Sequence, residues 1–249
     1  MALYLVGGLA VFVGSGVMAM AGLGAAFLFV PLFYYLGVPL DEATSTALLL
    51  NAVSLSAAAI AYARGGLIDW RVGIPVLIAA VILAPLGAAL TPHVERSVLL
   101  ALFVAFLVFA GAMMLFYRPR ANVRERGPAA EAGVGAALGS VAGFLGGLLG
   151  VGGGNIVLPG LTWLGLPAKI AAGTTALVVV FASFSGFLGH MALGGLDPEF
   201  LVTMALLAGA GSLAGSHVMQ TRLTSAQLKR FIGILLWVIA AKMALDLVT

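Results

Sequence analysis

The chain predicts an all-α polytopic membrane protein. It reads as two inverted repeats of about five hydrophobic segments, each with a short broken or re-entrant helix near its start. Three observations carry this: too few charges for a water-covered surface, apolar runs of spanning length, and a duplication in register. Of 249 residues, 62% are hydrophobic and 8% charged, whereas a soluble domain carries about 25% charged residues. The apolar runs reach the roughly 18 or more residues that a spanning helix needs. The alternating segments of about 10 residues that mark a membrane barrel are absent.

In chain order the segments cover 3–21, 25–37, 43–63, 72–91 and 97–117, then 132–149, 154–165, 170–191, 198–219 and 225–247. An Arg-rich stretch at 118–131 separates them, giving a first transmembrane repeat at 1–117, a cytoplasmic linker at 118–131 and a second repeat at 132–249. Met1-Ala2-Leu3-Tyr4 has no positive charge ahead of the first apolar segment, so that segment is expected to be retained. The second segment of each half is too short to cross a core of about 30 Å, because it rises only about 18–20 Å as a helix. Each short segment follows glycines and contains a proline: Gly22-Leu23-Gly24 with Pro31, and Gly150-Val151-Gly152-Gly153-Gly154 with Pro159.

The halves align without a gap at an offset of 128, pairing Gly22 with Gly150, Gly24 with Gly152, Pro31 with Pro159, Pro39 with Pro167, Thr46 with Thr174 and Asp69 with Asp197. Prolines and an aspartate in register mark a true duplication. Lys and Arg placement chooses its sense. With the linker inside, five passes per half put ten of the twelve Lys and Arg inside, leaving Arg96 and Lys242 outside. A parallel repeat splits them seven to five. Asp41 also stands where the second half has Lys169, and Arg71 where it has Glu199. That sign change suits residues carried across the membrane by an inversion.

Inverted repeats with Gly/Pro-interrupted short segments predict a secondary transporter with its site at mid-depth between the repeats. Both short helices then bring their N-terminal ends, with unpaired N–H groups and partial positive charge, toward the midplane. Two such ends make an anion site without a buried Lys or Arg. The competing reading is that the glycines serve close helix packing. Residues expected to line the site are Gly22, Gly24, Gly152, Gly153, Gly154 and Asn155, followed by Thr46, Asn51, Thr174 and Thr175. Asn51 falls near mid-depth, and Asn155 at the second tip is placed to cap the helix or touch a ligand. Ser183 and Ser185 are further polar residues in the second half, each readable as a hydroxyl bonded to its own helix.

No Asp or Glu lies inside a predicted span except at ends such as Asp246, which argues against a carboxylate proton relay. There are no cysteines, which excludes thiol chemistry and Cys-based metal sites. No cluster at ligand spacing calls for a metal, and no cofactor is expected. Gly150 to Asn155 lacks the Lys-Ser/Thr of a phosphate-binding loop. Ser185 and His190 are five apart on one helix, so neither reading makes the chain an enzyme. A net charge of +3 without a basic stripe excludes nucleic acid as a partner. The expected partners are the lipid bilayer and a small anion, and Gly/Ala patches leave room for a homodimer.

Several of these residues together resemble one family. They are Gly22-Leu23-Gly24, Val30-Pro31, Gly37 and Ala43 with Ser45-Thr46, then Gly66 and Asp69. The second copy holds Gly150 to Gly154, Leu158-Pro159, Gly165 and Ala171-Ala172-Gly173-Thr174-Thr175. The set resembles the TauE/SafE family of sulfite-exporter-like permeases over nearly the whole chain. The resemblance implies a multi-pass permease of a bacterial or archaeal inner (plasma) membrane, moving sulfite, an organosulfonate or another small anion; the inverted repeats themselves predict alternating access by rocking one repeat against the other. The first copy departs from the pattern, with Ala25-Ala26 in place of a fuller glycine run. A passive anion channel and a non-transporting membrane subunit of a larger complex are the alternatives.

Overall fold

Ten α-helices account for nearly all of the described chain. The computed structural model describes residues 2–35, 38, 40–116, 127–190 and 198–248. Gly37, Pro39, Asp197 and the arginines of the linker therefore lie outside the described residues. The helices are α1 (Ala2–Ala21), α2 (Ala26–Tyr35), α3 (Leu40–Arg64), α4 (Trp70–Leu90) and α5 (Arg96–Phe116), then α6 (Pro128–Leu148), α7 (Gly154–Trp163), α8 (Ala168–His190), α9 (Pro198–Thr221) and α10 (Ser225–Val248). α6 begins four residues before the expected start of the second repeat. Five helices are long and apolar enough to cross a membrane: those spanning Glu42–Arg64, Trp70–Leu90, Ala129–Leu148, Ala168–Gly189 and Glu199–Thr221. α2 and α7, at 10 residues each, rise only about 15 Å.

Local chemistry sets the helix ends. Asp69 caps α4, its carboxylate accepting from the N–H groups of Arg71 at 3.0 Å and Val72 at 3.3 Å. Thr224 and Gln227 form a reciprocal capping box at the start of α10, with bonds of 2.9 and 3.3 Å. Pro128 occupies the first turn of α6, where its missing N–H costs no bond. α1 ends in a Schellman motif, with Gly22 N–H donating to the Ala19 carbonyl and Leu23 N–H to that of Met18. α6 ends identically at Gly150 and Val151. Both closing glycines have φ near +67°, the left-handed conformation this motif requires.

Packing mixes the two halves. The glycine ridge of α6, Gly135, Gly139, Gly143 and Gly147, lies directly on the α4 backbone at Val72, Val76, Ala80 and Ala84. The pairs advance in the same direction, so α4 and α6 run parallel. α1 and α9 repeat this arrangement, with Gly211 on the Phe12 carbonyl and Gly215 on that of Gly16. Small residues at every fourth position let backbones approach closely enough for dispersion contact, the main attraction between helices in lipid. α4 also runs parallel to α8, since Asp69 meets Thr174 and Val81 meets Ser185.

The central pair is α3 and α8, whose contacts run in opposite senses: Leu48 beside Gly186 and Asn51 bonded to Ser183. These two helices occupy equivalent places in the duplication, and they are antiparallel. α1, α2 and α3 pack with α9, and α4 with α6, α7 and α8, two mixed clusters joined by an equally extensive α3–α8 interface, while α5 packs on α10. Arg71 pairs with Glu131 at 3.6 Å, and Lys169 donates to the Gln220 carbonyl at 3.0 Å. Gly65 abuts the Gln220 side chain. The basic residues around 64–71, 169 and 222 thus gather at one end of the bundle.

Candidate functional site

The tips of the two short helices meet where α3 faces α8. After α1 stops at Gly22, the chain turns through Leu23 and Gly24 and starts α2 at Ala26. After α6 stops, Gly152 and Gly153 take φ of +72° and +73° and deliver the chain to α7 at Gly154. A methyl at Gly154 would collide with the Leu23 carbonyl of the other tip. A side chain at Gly152 would run into Ser183, and one at Gly24 into Asn51. The glycines answer two demands between them: left-handed backbone at Gly24, Gly152 and Gly153, and direct contact between tips from opposite halves at Gly154.

Asn51 ties the arrangement together. Its Oδ1 accepts from the Ala25 N–H at 2.7 Å, and its Nδ2 donates to Ser183 Oγ at 2.8 Å. One amide thus caps the start of α2 and reaches across to the second half. Asn51 lies 11 residues into the 25-residue α3, about 17 Å from its start and near mid-helix. All these groups are buried.

The electrostatics come from backbone. In α7 the first N–H groups to bond back are those of Ile156 and Val157, both to the Gly153 carbonyl at 3.0 and 3.2 Å. The N–H groups of Gly154 and Asn155 precede them and have no acceptor within the helix. In α2 the first are those of Leu28 and Phe29, to Ala25. Each N-terminus carries roughly half a unit of positive charge. The buried polar side chains among the described residues include no Asp, Glu, Lys, Arg or His: they are asparagine, serine and threonine, with the Tyr62 hydroxyl.

The expected site residues divide by place. Gly24, Asn51, Gly152, Gly153 and Gly154 are brought together at the tips. Gly22 lies behind the first tip, terminating α1 against the Ala172 carbonyl. Asn155, in the first turn of α7, does not cap the helix: the cap position is Gly153, with no side-chain bond. Asn155 is only 1% exposed, yet neither amide atom has a protein partner, and the same holds for Thr175 Oγ1. Thr174 does different work. Its Oγ1 accepts from the Asp69 N–H at 2.9 Å and pins the α3–α4 turn. Thr46 is buried in α3, five residues before Asn51.

Ser183 belongs at the tips although it was not among the residues expected there. Its partner is 132 positions away, and the two are not equivalents, since Asn51 aligns with Val179 and Ser183 with Leu55. No spacing rule reveals such a pair. Ser185, in contrast, bonds to the Val81 carbonyl of α4 at 2.8 Å, not to its own helix.

Over residues 6–243 the chain matches the protein family described as sulfite exporter TauE/SafE. It is 37% identical over 112 residues to the probable membrane transporter protein YunE of Bacillus subtilis, covering 43% of this chain and 40% of that protein. It is 27% identical over 222 residues to the probable membrane transporter protein YdhB of the same organism, covering 87% of this chain and 85% of that one. Sulfite exporter TauE/SafE family protein 5 of Arabidopsis thaliana is 31% identical over 84 residues, which is 34% of this chain and 19% of that protein. No solved structure matches.

Proposed function

The chain belongs to the sulfite exporter TauE/SafE family of membrane transporters, and from that premise we propose that it is a secondary carrier of a small anion. Sulfite or a small organosulfonate, moved outward across the inner (plasma) membrane, is the substrate we favour. The observation that carries the reading is the meeting of two helix N-termini at Leu23–Ala25 and Gly152–Asn155, with the buried, unpartnered Asn155 amide beside them. Backbone N–H groups and a neutral amide would hold the charge, as at other helix-terminus anion sites.

We further read the halves as inverted repeats. The antiparallel course of the equivalent helices α3 and α8 supports this, because a twofold relating two antiparallel spans lies in the membrane plane. The same packing bears on alternating access. α1 is bound to α9 and α6 to α4 through glycine contacts, which favours moving units that mix the two repeats. The rocking units in this proposal are the mixed clusters α1–α2–α3–α9 and α4–α6–α7–α8. They would separate along the α3–α8 seam, where the Asn51–Ser183 bond crosses.

Counterflow in liposomes containing the purified chain tests the function. A carrier gives saturable uptake of labelled sulfite that speeds up when unlabelled sulfite is inside. Flux without saturation or trans-stimulation would make the chain a channel. No flux of sulfite, sulfonates or other small anions would point to a non-transporting subunit.

A further inference from the structure

Asn155 also bears on which form of the anion the site accepts. A carboxamide presents two N–H donors at one end and an acceptor oxygen at the other. Both ends of Asn155 are buried and unpartnered, so the conclusion is the same whichever way the amide is oriented. The Thr175 hydroxyl is open as well. Leaving such groups unpaired when buried is costly, and a ligand that matches both ends relieves the whole of that cost. A fully deprotonated oxyanion offers acceptors alone. It would suit Nδ2 and the N–H groups of Gly154 and Asn155, but would set negative charge against Oδ1. An anion that keeps one O–H or N–H satisfies donor and acceptor together.

Charge balance points the same way. Two helix N-termini supply roughly one positive unit between them, enough for a monoanion and short of a dianion. No buried Lys or Arg adds to it among the described residues. α7 packs on α5, α6 and α8. On α6, Glu131 is held by Arg71 at the helix start, and on α8, Lys169 is bonded to the Gln220 carbonyl. Tyr62 is the one fully buried titratable side chain among the described residues, and it donates to the Ala19 carbonyl. No described group beside Asn155 is placed to carry a proton.

Building on the anion-carrier reading above, we propose that this site takes a monoanion that retains a hydrogen-bond donor, such as hydrogensulfite, and rejects dianions. The proton then crosses on the substrate. Hydrogensulfite binds on one side, leaves on the other and dissociates there to sulfite and a proton as far as the local pH allows, so one proton crosses with each anion.

The test uses the full chain in liposomes loaded with a pH-sensitive dye, with protein-free liposomes setting the background from dissolved sulfur dioxide. Sulfite influx should rise as external pH falls, following the hydrogensulfite fraction, and with the lumen set alkaline enough to dissociate hydrogensulfite it should release one proton inside per anion. In competition, 2-hydroxyethanesulfonate should outdo methanesulfonate by at least about tenfold, one lost hydrogen bond to a charged or buried partner, and sulfate should not compete. Asn155→Leu should erase the hydroxyl preference. If that variant does not fold, the wild-type competition series still decides. Flux that follows the dianion, or equal competition by the two sulfonates, overturns the inference and leaves an anion carrier standing. Absence of saturable flux for all four anions overturns the carrier reading itself.

Discussion

Replacing Asn51 by valine, the residue at the equivalent position 179 of the second half, removes both bonds at the tips with a shorter, apolar side chain. Val179 already packs against Gly152 and Gly154, so a valine suits this environment. The Ala25 N–H loses its only partner, Oδ1 at 2.7 Å, and stays buried. A stranded buried donor costs about 1–3 kcal/mol. Ser183 loses an interhelical bond of 2.8 Å, a class worth about 0.6–1.7 kcal/mol in membrane proteins. Its hydroxyl can turn to a carbonyl of its own helix, so the lower part of that range applies. The sum is about 2–4 kcal/mol, which at about 2–4 °C per kcal/mol for a chain of this length lowers the thermal midpoint by about 4–16 °C. Midpoints come from loss of the monodisperse peak after heating in detergent. Ser183→Ala should cost about 1–3 kcal/mol, because it strands the buried Asn51 Nδ2 donor while Oδ1 keeps its bond to Ala25. The double variant should cost less than the sum of the two, since both singles break the same contact. An unchanged midpoint for Asn51→Val, or strict additivity in the cycle, would refute the role assigned to Asn51.

Adjacent threonines should respond oppositely. Thr174→Val strands the Asp69 N–H and should lower stability by about 1 kcal/mol, whereas Thr175→Val removes an unpartnered buried hydroxyl and should hold or raise the midpoint while reducing anion flux. Two glycines with nearly equal φ, Gly22 at 68° and Gly66 at 67°, separate strain from space. Gly66→Ala meets nothing within 4 Å and should cost only the conformational term of about 1–2 kcal/mol, while Gly22→Ala also strikes the Ala172 carbonyl and should prevent accumulation of folded protein. Equal yields and midpoints for the pair would discredit the packing described around the first tip. The chain has no cysteine, so single cysteines report sidedness cleanly. His93→Cys and Thr221→Cys, at equivalent exposed positions, should react with an impermeant thiol reagent from opposite sides of the membrane, and labelling from one side would rule out inversion.

Much of the architecture is legible in the chain because the bilayer is a demanding solvent. The apolar run expected over 72–91 is α4 at Trp70–Leu90, and that over 25–37 is α2 at Ala26–Tyr35. Both follow from the need to bond every backbone group internally while remaining apolar. α2 and α7 start late because left-handed glycines follow the ends of α1 and α6, and each short helix runs on through its proline. Site chemistry is less legible. Thr174 and Thr175 read as one polar pair, yet one pins a turn and the other is unpartnered. The reason is helical phase: successive residues point about 100° apart, and only the neighbours on each side settle what a hydroxyl meets.

By itself the sequence determined the class, the duplication, the family and the two broken helices, all of which depend on composition and local order along the chain. Tertiary structure alone decided that α1 joins α9 and α6 joins α4, because glycine ridges pair by surface shape and carry no label for their partner. It also decided that Asn51 reaches Ser183. That bond exists because equivalent helices run antiparallel, which brings residues that are not equivalent face to face between the tips.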